Sequence, residues 1–298
     1  MAEERCSVGK IELCFEQFGR EEDPAVLLVM GLGTQMIAWT EPFCELLAAR
    51  GLRVIRFDNR DSGRSTILRH LPPPTVRQLV TRDVAPGYTL GDMAGDAAGL
   101  LDALGIEAAH VVGASMGGMI AQTVAIEHPE RVLSLTSIMS TTGARDVGLP
   151  ALRLYPVLLR RAPRERDAYI EFFLGFTRAI GSPAFPRDEA ELRALAARVH
   201  ARGIHPAGTG RQLAAIIAAP DRTPALRRLD VPALVVHGLA DRLVRATGGR
   251  ATAAAIPGAR LLEIRGMGHD LPRGIWPQVT EGIAELAGQA DGARADAA

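Results

Sequence analysis

The chain has 298 residues, enough for one large α/β domain carrying an insertion, or for two small domains. Its 34 Lys plus Arg balance 34 Asp plus Glu, so the formal net charge is zero and neither a nucleic-acid nor an anionic-membrane partner is implied. Cys6, Cys14 and Cys44 are too few and too irregular for a disulfide framework or a zinc site, which points to a reduced, cytoplasmic setting. The charged start, Met1 to Arg5, has no apolar run behind it, so a signal peptide is not expected. No stretch is apolar and long enough for a membrane anchor.

Residues 9–18 alternate as an antiparallel strand or hairpin at a sheet edge does. Ala25-Val26-Leu27-Leu28-Val29 is a short continuous apolar strand, broken by Gly31-Leu32-Gly33-Thr34. Residues 42–50 read as a helix closed by Gly51, 52–57 as a strand, and 58–65 as a loop. Beyond an irregular proline-rich stretch, residues 90–104 have helical spacing and end at Gly105. Residues 109–112 read as a buried parallel strand, 119–126 as a helix that His128-Pro129 ends, and 131–139 as another strand.

From about Thr142 to Leu229 helix formers dominate, prolines punctuate, and no strand pattern is visible. Arg outnumbers Asp plus Glu there; solvated arginines are the simpler account, an acidic or phosphorylated substrate the other. The strand pattern resumes at 231–238 and again at 260–264. Residues 272–286 read as a closing helix and 289–298 as a frayed tail. The alternation predicts an α/β fold: a mostly parallel, doubly wound sheet from residues 1–141 and 230–298, with a helical cap over 142–229. In such sheets active groups gather at the carboxyl ends of the strands, where Gly31-Leu32, Asp58, Ser115 and Ser140 all fall.

Gly113-Ala114-Ser115-Met116-Gly117 matches G-x-S-x-G between a strand and a helix, the context of a nucleophile elbow. The glycines allow strand and helix to close on either side of a serine held in a sparsely allowed backbone conformation. A serine hydroxyl needs a base within hydrogen-bond reach, and the base needs an orienting acid. Of the seven histidines, His269 in Gly266-Met267-Gly268-His269-Asp270 leaves the last strand at the same edge as Ser115. Asp241, just after the strand ending in His237-Gly238, is the favoured acid, with Asp146 as the runner-up. Asp270 reads as the N-cap of the closing helix. Oxyanion donors are expected from the backbone N–H groups of Met116 and Leu32.

Ser115, Asp241 and His269 in these surroundings resemble the α/β-hydrolase superfamily, over nearly the whole chain. Asp58-Asn59-Arg60-Asp61-Ser62-Gly63-Arg64-Ser65 looks like that family's D-x-R-G-x-G-x-S loop, with Asp61 in place of a glycine and a mainly structural role. The nearest subgroup resembles bacterial carboxylesterases related to aclacinomycin methylesterase and to actinobacterial lipase-like esterases. Met30-Gly31 stands where many members have His-Gly, which keeps the backbone donor and changes its side-chain surroundings.

The resemblance implies a serine hydrolase acting on a small-molecule ester, with no metal or organic cofactor. Cofactor-free haloperoxidases (perhydrolases), lactonases and C–C bond hydrolases use the same triad and stay open as alternatives. A ligand-binding protein that has kept the fold is a further one.

Overall fold

The computed structural model describes residues 3–158 and 160–297. The chain opens with an antiparallel hairpin, β1 (Glu4–Val8) and β2 (Ile11–Phe18). Strands and helices then alternate: β3 (Ala25–Val29), α1 (Glu41–Ala48), β4 (Arg53–Phe57), α2 (Val76–Thr81), α3 (Leu90–Ala103), β5 (Ala109–Ala114), α4 (Met116–Glu127) and β6 (Val132–Ile138). Five helices follow before the sheet resumes: α5 (Tyr155–Leu158), α6 (Arg166–Ile180), α7 (Glu189–Arg202), α8 (Pro206–Ala218) and α9 (Thr223–Leu226). The chain closes with β7 (Ala233–Gly238), α10 (Thr247–Ala255), β8 (Arg260–Ile264) and α11 (Trp276–Ala297).

The strands form one sheet in the order β1-β2-β4-β3-β5-β6-β7-β8. Every pairing from β4 to β8 is parallel; only the hairpin and its join to β4 are antiparallel. The doubly wound α/β architecture is therefore the one the alternation predicts. The chain runs outward from β3 to β4, then returns to place β5 on the other side of β3. The strand order reverses between β3 and β5, and in such sheets the carboxyl ends of the strands at that point are the usual ligand position.

The apolar run of β3 has no polar face because both of its faces are covered. Leu27 and Val29 pack into one core with Leu100, Leu101, Ile120 and Val124. Val26 and Leu28 pack into the other with Phe43, Leu47, Val279 and Ile283. A third apolar cluster joins the insertion to the sheet edge: Tyr169, Ile170 and Leu174 of α6 and Ala196 and Val199 of α7 close over Met36 and Ile37.

The structure differs from the sequence reading at several places. The hairpin begins before Gly9, whose φ of +57° makes the turn. Residues 247–255 form α10, where no helix was expected. Residues 289–297 are not a frayed tail but the last turns of α11. Leu286, Ala287 and Ala290 lie buried on one face of that helix, and the Asp291 carboxylate stands 3.4 Å from His110 Nε2 at the amino end of β5. Those contacts give the terminal turns something to hold. No helix among the described residues is long and apolar enough to cross a membrane.

Candidate active site

Ser115 sits between β5 and α4 with φ +59° and ψ −120°, a region that side chains rarely occupy. Crowding forces the flanking residues to be glycine. A Cβ on Gly113 would fall 2.0 Å from the Gly117 carbonyl oxygen, and one on Gly117 would fall 2.1 Å from that of Val29. The backbone of Ser115 is tied down on both sides. Its N–H donates to Ile138 O at 2.9 Å, and its carbonyl accepts from Gly118 N–H and from the Ser140 hydroxyl at 2.8 Å. Ser140, at the same sheet edge, thus braces the turn.

His269 follows β8 and meets this serine: Nε2 lies 3.0 Å from Ser115 Oγ. Its Nδ1 lies 2.7 Å from Asp241 Oδ2. The other carboxylate oxygen of Asp241 accepts from Leu243 and Val244 N–H at 2.8 and 2.9 Å. All three side chains are therefore brought together in the order Ser–His–Asp. Asp146, the alternative acid, is exposed in the loop after β6, whereas Asp241 is buried. Beneath Asp241, the fully buried His237 donates from Nε2 to Val244 O at 2.8 Å, fixing the same loop from below. Burial holds the imidazole of His237 below its ordinary pKa.

The turn after β3 passes directly beside the serine: a Cβ on Gly31 would lie 3.1 Å from Ser115 Cβ. Leu32 and Met116 thus flank Ser115 from two elements. The turn is fixed by groups that sequence reading did not foresee. Asn59 Nδ2 donates to Met30 O, and Gln212 of α8 accepts from Gly33 N–H at 2.8 Å while donating to Arg60 O.

The Asp58–Ser65 loop proves to be where the insertion is fastened. Asp58 accepts from Met36 and Arg64 N–H and is paired with Arg202 of α7. Asp61 has φ +67°, which explains why a glycine suits this position in the related loop. Its carboxylate takes a two-pronged contact from Arg211 of α8 at 2.6 and 2.7 Å, and also accepts from the Tyr88 hydroxyl and Leu68 N–H. Burial pushes this carboxyl up, but Arg211, Leu68 N–H and Tyr88 outweigh it and hold Asp61 below the ordinary carboxylate range. Arg222 is also buried, on Gln122 Oε1 and Thr141 O, and burial lowers its pKa to about 10. Arg202 and Arg211 are thus taken up by buried carboxylates, and Arg222 is buried, so none of the three is a solvated arginine.

Asp270 does not cap the closing helix, as the sequence reading had it. A 3-10 turn over Arg273–Ile275 starts after Pro272, and the Asp270 carboxylate instead accepts from the Ser182 hydroxyl at the end of α6. No local pattern announces that partner, 88 residues away.

Residues 24–272 match the family described as alpha/beta hydrolase fold. The chain is 32% identical to rhodomycin D methylesterase DauP of Streptomyces sp. (strain C5), over 88% of this chain and 90% of that protein. The same identity and coverage hold for rhodomycin D methylesterase DnrP of Streptomyces peucetius. Among solved structures, the enol-lactonase of Burkholderia xenovorans LB400 superposes with a TM-score of 0.72 at 24% identity, covering 95% of this chain and 99% of that one. The meta-cleavage product hydrolase of Pseudomonas fluorescens IP01 does so with 0.75 at 19% identity, covering 96% and 98%. The last two likenesses are of fold alone. The eight-stranded sheet and the match over most of the sequence agree: this chain belongs to the α/β-hydrolase family.

Proposed function

We propose that the chain is a carboxylic-ester hydrolase working through an acyl-enzyme on Ser115. The observation that carries this reading is the unbroken run of contacts from Ser115 Oγ through His269 to the buried Asp241 carboxylate, at a strained strand-to-helix turn. The methylesterase relatives support an ester substrate, in particular the methyl ester of a larger acid.

Ser115 Oγ bonds to the ester carbonyl carbon as its proton moves to His269 Nε2. His269 then gives that proton to the leaving alkoxide oxygen as the C–O bond breaks. Asp241 holds the proton of His269 on Nδ1 and balances the imidazolium charge. Leu32 and Met116 N–H donate to the oxyanion, strengthening as charge builds on it. Water next loses a proton to His269 and attacks the acyl carbon; the proton returns to Ser115 Oγ as the acid departs. The helices between Thr142 and Leu229 act as a cap over the cleft and select the acid.

The test is covalent labelling by a fluorophosphonate, which reports an activated serine without needing the natural substrate. Wild-type protein is expected to label at one site, and Ser115→Ala to lose both labelling and hydrolysis of short methyl and p-nitrophenyl esters. Ester hydrolysis undiminished in Ser115→Ala would overturn the reading.

A further inference from the structure

The base-bearing loop is held from two sides. Ala240 N–H donates to Met267 O at 2.9 Å, whereas the next two backbone N–H groups, of Gly268 and His269, donate into the insertion. His269 N–H donates to Ile180 O at 2.8 Å, at the last residue of α6. Gly268 N–H donates to Ser182 Oγ at 2.8 Å. The Ser182 hydroxyl in turn donates to Asp270 Oδ1. The residues before, at and after the base are each fastened to the stretch 180–182.

The two backbones also touch. A Cβ on Gly268 would lie 2.4 Å from the Gly181 carbonyl carbon and oxygen, and one on Gly266 would lie 2.2 Å from Ala184 Cβ. Ser182 is 2% exposed, so water does not compete for its hydroxyl. Burial also pushes the Asp270 carboxyl above its ordinary range. One hydroxyl that accepts from one residue and donates to the next-but-one sets the path of the backbone between them, and that path aims the His269 ring.

We propose that Ser182 and Asp270 are positioning residues: they clamp the general base to the end of α6, so that His269 reaches Ser115 only when the inserted helices are seated on the sheet. The inference rests on the reading of His269 as the base. The pair does not touch the reacting atoms; it acts through the geometry of His269. A catalytic group displaced by about 1 Å loses up to about 10²-fold in rate, and a clamp that limits such displacement is worth about tenfold.

The experiment uses the full chain and two probes, a fluorophosphonate and p-nitrophenyl acetate. Ser182→Ala and Asp270→Ala are each expected to slow labelling of Ser115 about tenfold and to lower kcat with KM held within about twofold. Ser182→Thr, which keeps the hydroxyl, is expected to restore most of the rate. Asp270→Ala leaves Gly268 N–H paired and remains readable if Ser182→Ala does not fold. Folded variants that label at the wild-type rate, or that lose only melting temperature or only KM, overturn the clamp. Wild-type protein that does not label overturns the esterase reading instead.

Discussion

At the scale of single residues, burial separates two aspartates that position in the chain leaves alike. Asp241 and Asp146 both follow strands, but only Asp241 is buried with one oxygen on two backbone N–H groups and the other on His269. Asp241→Asn keeps the size and puts an amide where the Nδ1 proton needs an acceptor, favouring the wrong tautomer. kcat is expected to fall about 10⁴-fold, with Asp146→Asn close to wild type, in steady-state hydrolysis of a p-nitrophenyl ester. The reverse ranking would move the orienting role to Asp146. Ser115 was legible because its constraint is local: two glycines and a strand-to-helix switch lie within five residues. Ser182 and Gln212 were not, because each finds its hydrogen-bond partner far away in sequence.

At the scale of elements, the insertion is joined to the sheet by buried polar contacts as well as by apolar packing. Asp61 and Arg211 are the sharpest case, since both side chains are almost wholly buried. Asp61→Gly relieves the positive φ yet strands a buried guanidinium. Removing one partner of such a pair costs about 3 kcal/mol, to be read from urea unfolding. The double variant Asp61→Gly/Arg211→Leu is expected to recover most of that loss, because the uncompensated charge is gone. A single variant as stable as wild type would show that Arg211 finds another partner. The arginine excess of the insertion was visible in the sequence, but its purpose was not. Whether an arginine is solvated, substrate-facing or buried against a carboxylate depends on what the sheet edge presents to it.

At the scale of the whole molecule, two histidines are buried in strands of the central sheet. His110 on β5 and His237 on β7 are both held below the ordinary value of 6.5 by burial. Each therefore binds its proton more weakly in the folded chain than in the unfolded one. Unfolding takes up protons in the window below 6.5, so stability is lost as pH falls from 6.5 toward the lower folded values. Urea midpoints measured between about pH 7 and 5 are expected to decline, and less steeply in His110→Asn and His237→Asn. Equal slopes in wild type and variants would assign the decline to other groups. The alternation of apolar strands with helices determined the doubly wound sheet by itself, because a strand covered on both faces must be apolar throughout and that pattern is written residue by residue. The expectation that Ser115, Asp241 and His269 lie at one edge followed, since the ends of parallel strands share it. Only the tertiary structure decided how the insertion is fastened, that the chain stays helical to Ala297, and that Asp270 reaches Ser182 instead of capping a helix. These rest on contacts between residues distant in sequence, whose strength comes from burial, and burial exists only once the chain has folded.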